Sequence, residues 1–275
     1  MSRIKNFQEF LKEDVQPVQD KAIQTQPSTP FDSSKAKNKL DFVYLDKDGS
    51  IDKIKGFCDS IKLPENKNYI MGVVIRPQFV SEIKKYLEDT DLKVISVVSL
   101  PDGDEKISEK IKQTQKSISE GADEINVVMN YQKLIECMSE TEEEKKESKL
   151  KDIQTDIRSL VEICKEKSVI LKIIIEMEAL GDEKVITKAV ELCKNSNVDY
   201  ITTSTGIYDR TTNYSFENKL KDVNDVIIPM VQGTDNININ INGGINSIDR
   251  VMECLKINKI QRISTSILPS TLFKK

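Results

Sequence analysis

The chain has 275 residues, a formal net charge of −4, 38% hydrophobic and 31% charged residues, and neither histidine nor tryptophan. This composition fits a soluble globular protein with room for one large domain or two small ones. The missing histidine excludes Ser-His and Cys-His nucleophile pairs, an HExxH zinc site and a histidine-ligated zinc aldolase, so no metal and no cofactor are expected. Lysine and arginine are spread along the chain, whereas nucleic-acid binding asks for a clustered basic face, so no nucleic-acid partner is expected. The five cysteines, Cys58, Cys137, Cys164, Cys193 and Cys254, are widely spaced and form no CxxC; buried, reduced thiols are the expectation. No apolar run reaches the roughly 20 residues of a membrane span, and the N-terminus lacks the apolar core of a secretory signal. No membrane partner is expected, and the cytoplasm is the expected location.

Residues 1–39 read as an N-terminal polar extension. Ile4, Phe7 and Leu11 recur at helical spacing, and the polar, proline-containing stretch that follows has no periodicity, the mark of a flexible linker. From Leu40 to residue 275, β-rich apolar runs alternate with amphipathic helical runs. The strand candidates are 40–45, 69–75, 93–100, 124–130, 169–176, 199–205, 237–243 and 261–266. Helical runs such as "SIDKIKGFCDSIK", "PQFVSEIKKYLED" and "EKVITKAVELCKN" separate them, several opening on Ser or Pro as helix starts do. The charge run "SETEEEKKESK" (139–149) reads as a solvated loop and helix start. Alternating strands and helices imply parallel pairing through right-handed crossovers. Eight such units over 40–275 fit a single (β/α)8 TIM barrel, with a doubly wound open sheet as the rival.

In a barrel the site lies at the carboxyl ends of the strands. Period-2 alternation puts Thr202 and Ser204 on one face of the sixth strand, Asn238, Asn240 and Asn242 on one face of the seventh, and Asn126, Val128 and Asn130 on one face of the fourth. On the fifth, Lys172, Ile174 and Glu176 share a face, so Lys172 is expected to pair with Glu176. Gly206 follows the sixth strand, Gly243 and Gly244 the seventh, and Ser266 the eighth. Glycine turns let backbone N–H groups approach an anion, and barrels often bind phosphate after strands seven and eight. Ordinary tight turns are the alternative reading of the same glycines.

Five segments, in this order, resemble the deoxyribose-phosphate aldolase family: "LDFVYL", "GADEINVVMN", "LKIIIEMEAL", "YITTSTG" and "ININGGINS". The resemblance runs from Leu40 to about Leu268. It implies the barrel fold and a metal-free lyase that splits 2-deoxyribose 5-phosphate into glyceraldehyde 3-phosphate and acetaldehyde through a lysine Schiff base. It also implies a phosphate or sugar-phosphate ligand and, from family habit, a homodimer. Carried over residue by residue, the imine-forming lysine falls on Thr202, the second lysine on Asn240 and the aspartate on Asn126. The surroundings match better: Asp41 and Ser204 as substrate-pocket residues, Gly206, Gly243, Gly244 and Ser266 as phosphate-binding ones, and Lys172 at a family lysine position. The basic residue common after the sixth-strand glycine is here Ile207.

The reading is therefore an aldolase-like barrel that has lost Schiff-base catalysis and keeps a phosphate pocket in a scaffold, binding or regulatory role. Two others stand beside it. One is an active aldolase or lyase with rearranged residues, Lys172 being the alternative nucleophile. The other starts from the N-terminus, where "FLKE" resembles the short targeting helices of proteins packaged into phage heads and clipped after Leu-x-Glu, here Leu11-Lys12-Glu13, which would place the protein in a virion.

Overall fold

The computed structural model describes residues 33–207, 215–232 and 237–273. Eight parallel strands close into a barrel in sequence order, each hydrogen-bonded to its neighbours and the last to the first. They are β1 (Leu40–Val43), β2 (Ile70–Ile75), β3 (Lys93–Val98), β4 (Glu124–Val128), β5 (Ile170–Ile174), β6 (Tyr200–Thr202), β7 (Asn238–Asn242) and β8 (Ile260–Thr265). Pairing of β1 with β8 removes the open-sheet alternative.

The helices on the outside follow from the spacing of their apolar residues. Helix α1 (Ile51–Lys62) buries Ile54, Cys58 and Ile61 at positions i, i+4 and i+7 and is capped by Ser50 Oγ, which accepts from the Lys53 N–H, the contact that satisfies an otherwise orphaned donor. Helix α2 (Val80–Tyr86) follows β2, and α3 (Ile107–Ser119) follows β3. The inner face of α3 is polar: Lys110, Thr114 and Ser117 are buried. Ser117 Oγ lies 2.9 Å from Ser96 Oγ on the outer face of β3. Two helices, α4 (Tyr131–Met138) and α5 (Glu143–Glu166), follow β4; α5 starts inside the charge run and buries Ile153, Ile157, Leu160, Val161 and Cys164. Helix α6 (Glu183–Lys194) follows β5, α7 (Phe216–Asp222) opens on a Ser215 capping box, and α8 (Ile248–Leu255) lies between β7 and β8. All five cysteines are buried free thiols, and burial pushes Cys58, Cys164 and Cys254 up to about 12, where thiolate chemistry is suppressed at neutral pH.

Most strands end before the runs that predict them, and at β5 and β6 this bears on the site. Pairing in β5 stops at Ile174, and Glu176 takes a left-handed backbone with φ 53°. The regular strand β6 ends at Thr202; the Thr203 N–H still donates to Asn240 O at 3.1 Å, while the Ser204 and Thr205 hydroxyls accept the N–H groups of Gly206 and Ile207 in the turn. At the other end of the barrel, residues 33–36 form a 3₁₀ turn with Ala36 fully buried, and the Lys39 N–H donates to Tyr69 O at 3.1 Å. The helical run at 4–11, the Leu11–Glu13 motif and the polar stretch up to residue 32 lie outside the described residues.

Candidate functional site

Parallel partners in register point to the same side of the sheet, so the interior can be followed around the barrel. Register pairs Asn126 with Lys172, Lys172 with Tyr200, Thr202 with Asn240, and Asn240 with Arg262. A first interior set is charged. Lys172 Nζ lies 3.0 Å from Asp41 Oδ2 and 2.7 Å from Glu124 Oε2, and Arg262 reaches the other oxygens of both carboxylates, at 2.7 Å to Asp41 and 2.5 Å to Glu124. Two cations and two anions thus alternate in a closed ring, and the Tyr200 ring lies 5.2 Å from Lys172 Nζ. Burial opposes ionisation of Glu124, but the charges of Lys172 and Arg262 outweigh it and hold the carboxyl below its ordinary range. For the fully buried Asp41 burial wins and the shift is upward, with both cations opposing it.

The expected partnership of Lys172 with Glu176 is not what forms. Alternation was carried through two residues that are no longer strand, and Glu176 lies on a left-handed turn instead. Its Oε2 accepts the Thr205 N–H at 3.0 Å, while its Oε1 is buried without a hydrogen-bond partner. Burial, opposed by the bonds from Thr205 and reinforced by nearby Glu178, pushes Glu176 up to about 7. Burial thus favours the neutral acid of Glu176 up to about neutral pH.

A second interior set is neutral; on the two strands the sets share, β4 and β8, Asn126 and Ser264 lie two residues beyond Glu124 and Arg262, and Thr202 and Asn240 join them from β6 and β7. Asn240 Nδ2 donates to Ser264 Oγ at 3.0 Å and to Thr202 Oγ1 at 3.3 Å, and Ser264 Oγ lies 3.1 Å from Asn240 Oδ1. Asn126 is buried, and its Oδ1 has no hydrogen-bond partner. The strand lysines among the described residues are Lys93, which is exposed, and Lys172, whose side chain has no exposed surface.

The glycine turns are packed against one another. Gly206 and Gly243 donate their N–H groups internally, to Ser204 Oγ at 2.9 Å and to Asn242 Oδ1 at 2.8 Å. A Cβ on Gly243, whose φ is 82°, would lie 2.7 Å from Lys219 Nζ and 2.9 Å from Ser204 Oγ. Lys219 enters from α7, lies 2.5 Å from Glu178 Oε1 and donates to the carbonyls of Asn242 and Gly243 at 2.7 and 3.1 Å. The Gly244 N–H and the exposed Ser266 hydroxyl make no hydrogen bond within the described residues. Arg250 Nη1 donates to Gly244 O at 2.7 Å and its guanidinium stacks 4.6 Å from the Phe216 ring centroid.

The sequence patterns do not single out Glu124, Arg262, Lys219 or Lys110. Lys110 lies behind the sheet, where Nζ donates to Val128 O at 2.9 Å beside a cavity of about 30 Å³ that Asp156 and Asn130 help to line. Burial lowers its amine to about 8, against the pull of Asp156 and other carboxylates. The signal that finds the ring residues is simple. Glu124 and Arg262 share a strand face with Asn126 and Ser264, and a charge on an inward strand position requires a buried partner.

A model of the DeoC/LacD family aldolases matches residues 29–258. The chain belongs to this family. The deoxyribose-phosphate aldolase of Mycoplasmoides pirum is 30% identical over 240 residues, covering 86% of this chain and 97% of that protein. The aldolase of Caldicellulosiruptor saccharolyticus is 27% identical over 228 residues, covering 82% and 92%. Among solved structures, the aldolase QR15 is 25% identical with a TM-score of 0.68 over 84% of this chain and 91% of its own. The tetrameric deoxyribose phosphate aldolase of Aeropyrum pernix shares the fold, with a TM-score of 0.69 over 88% and 90% of the two chains at 18% identity. No helix among the described residues is long and apolar enough to cross a membrane.

Proposed function

We propose that this member of the DeoC/LacD aldolase family does not form an imine and serves as a phosphate- or sugar-phosphate-binding protein with a scaffold or regulatory role. The observation that carries this reading is the pairing of Thr202 with Asn240 in a neutral hydrogen-bonded set, while Lys172 is withdrawn between Asp41 and Glu124. Imine formation needs a primary amine with a free lone pair and a path to the carbonyl carbon. A hydroxyl gives at most a hemiketal, which is no electron sink, and an amide is not nucleophilic. Asn126, Thr202 and Asn240, the positions that resemblance equates with the family's aspartate and two lysines, carry none of the required groups. Lys172 has the amine but no exposed surface, and Lys110 lies on the far side of the sheet.

In this reading an anion meets the turns after β6, β7 and β8. The N–H groups of Gly206 and Gly243 are engaged within the chain, so the Gly244 N–H and the Ser266 hydroxyl are the groups left to receive it. With Ile207 where the family often has a cation, binding is expected to be weaker than in active relatives. Asp41 and Ser204, the substrate-pocket residues in this reading, are held in the charged ring and in the Gly206 turn.

The test is borohydride trapping with 2-deoxyribose 5-phosphate followed by intact mass. No adduct is expected, and retro-aldol turnover should be reduced on the order of 10⁶-fold, the scale seen when a covalent nucleophile is removed. An adduct mapped to Lys172 or to any other lysine overturns the reading. Thr202→Lys alone should not restore turnover, because the groups that would tune and serve the new amine are absent. Asn126→Asp, Thr202→Lys and Asn240→Lys together are the combination expected to regain weak activity.

A further inference from the structure

A cleft of about 370 Å³ opens between the turn after β2, the end of β3 and helix α3, on side chains that none of the site residues above include. That volume suits a small metabolite. Arg76, Ser99 and Gln113 line it, with Lys112 and Lys116 from α3.

Arg76 is half-buried and anchored by one end only: its Nε donates to Leu45 O at 2.9 Å. No carboxylate among the described residues pairs with its guanidinium. The two acidic residues that line the cleft are each held by a neighbour in it. Both oxygens of Glu105 accept from Gln113 Nε2, at 2.9 and 3.0 Å, and Glu109 lies 3.8 Å from Lys112. A half-buried guanidinium fixed at Nε presents its two terminal nitrogens as a planar fork, the shape that matches two oxygens of a carboxylate or phosphate.

Ser99 supplies the second observation. It is only 2% exposed, and its Oγ has no hydrogen-bond partner among the described residues. Its backbone is left-handed with φ 63°, a conformation that favours glycine or asparagine over serine. Its N–H is engaged by Gln113 Oε1 at 3.3 Å and its carbonyl by the Gly103 N–H at 2.9 Å, so the backbone is held while the hydroxyl is not. A buried hydroxyl without a partner is costly, and so is a left-handed serine. Both costs fall on one residue that faces the cleft, and an acceptor placed there would relieve the first.

We propose that this cleft is a second ligand site, specific for a small oxyanion, with the Arg76 fork holding the anionic group and Ser99 donating its hydroxyl. Lys112 and Lys116 at the rim lie 3.8 Å from Glu109 and Glu120, which leaves Arg76 as the cleft's one cation without a carboxylate partner among the described residues. The site is separate from the glycine turns after β6 to β8 and stands whether or not those turns bind phosphate.

The experiment uses the full chain, ¹⁵N-labelled, at low salt, titrated with inorganic phosphate in one arm and malonate in the other. Saturable shifts are expected at the Ser99 amide and the Gln113 side-chain amide, and the arm that saturates at lower concentration identifies phosphate or carboxylate as the preferred group. Arg76→Gln should weaken binding at least about tenfold, the scale of one lost charge-assisted contact. Ser99→Gly keeps the left-handed backbone, removes the hydroxyl and should weaken binding severalfold without loss of thermal stability. Shifts confined to Gly206, Gly243 and Gly244 overturn this proposal and leave the phosphate reading of those turns intact. Shifts confined to the cleft do the reverse. Affinity unchanged in both Arg76→Gln and Ser99→Gly also overturns it.

Discussion

Two interior sets of the barrel, two residues apart on the strands they share, β4 and β8, are built on opposite principles. The set formed by Asp41, Glu124, Lys172 and Arg262 is fully ionic and closed, each charge facing two of the opposite sign. The set formed by Thr202, Asn240 and Ser264, with Asn126 nearby, is neutral and open-ended, and the Asn126 carbonyl oxygen has no hydrogen-bond partner. A buried ring of charges tolerates no missing member, because the remaining ions stay desolvated without compensation. A neutral set can lose a hydrogen bond and keep its shape. The contrast locates stability in the first set and leaves the second free to drift chemically while the barrel stays closed.

The largest effect is therefore expected in the ionic ring. Arg262→Met or Lys172→Met should each cost about 3–5 kcal/mol in chemical denaturation, the range for a broken buried pair. Replacing all four members with apolar residues of similar volume should cost far less than the sum of single changes. Within the ring Glu124 supplies an acid limb of stability, and the raised Asp41 contributes with the opposite sign. Glu124 has a depressed folded pKa, so its contribution is complete above the ordinary 4.5 and is lost as pH falls through the folded value. Arg262→Met should flatten that limb. A single-substitution cost below about 1 kcal/mol would mean that the ring is not closed in solution.

Glu176 gives the next effect and the opposite sign. Its folded pKa is raised from 4.5 to about 7, so the folded chain holds a proton that the unfolded chain has released. Stability from this group is full below 4.5 and falls as pH rises through about 7, by about 3 kcal/mol at most. Glu176→Gln keeps an oxygen for the Thr205 N–H and cannot ionise. It should leave stability at pH 5 nearly unchanged and raise it at pH 8, measured as the difference between two denaturation curves. Equal effects at both pH values would place the Glu176 pKa in the ordinary range.

How far these sets were legible in the sequence depends on whether period-2 alternation held. It held for residues inside the paired strands: β4, β7 and β8 place Asn126, Asn240 and Ser264 inward as their spacing requires, and the eight-unit alternation with helices implies the closed barrel. It failed where a strand stops early. Glu176 reads as two steps beyond Ile174 on the Lys172 face, but pairing ends at Ile174 and the backbone turns left-handed, so Lys172 takes partners from β1 and β4. Those partners are 131 and 48 positions away in sequence, a pairing that only barrel closure creates. Glycines gave the weakest inference. The sequence cannot separate a turn open to an anion from one filled by its own side chains, and Lys219, which occupies the space beside Gly243, comes from a helix 24 residues earlier.

That crowding supplies a middle-sized prediction. Gly243→Ala places a Cβ 2.7 Å from Lys219 Nζ and 2.9 Å from Ser204 Oγ at a φ of 82°. Strain and overpacking together should cost about 1–3 kcal/mol. Gly181→Ala has the same left-handed strain, φ 58°, with nothing within 4 Å of the added carbon, and should cost about 1 kcal/mol. The difference between the two measures packing at the glycine turn alone. Equal losses would show that Lys219 is not seated there.

The smallest effect is expected in the neutral set, and it tests the comparison from its other side. Thr202→Val keeps the shape and removes one hydroxyl. Its hydrogen bond with Asn240 Nδ2 is the longer of the two that this nitrogen makes, 3.3 Å against 3.0 Å to Ser264. Asn240 therefore keeps its Ser264 partner, and no ion is left unpaired. The expected cost is about 1 kcal/mol or less, the usual net worth of one neutral hydrogen bond, and it should not depend on pH between 5 and 8, since no member of the set titrates there. Thr202 stands two residues beyond Tyr200, whose ring contacts Lys172, so a rigid coupling between the two sets would be felt at this position first. Double substitution Thr202→Val with Arg262→Met measures that coupling directly. Additive losses mean that the neutral set is energetically separate from the ionic ring. An interaction above about 1 kcal/mol would join them and remove the basis for treating one set as the frame and the other as replaceable.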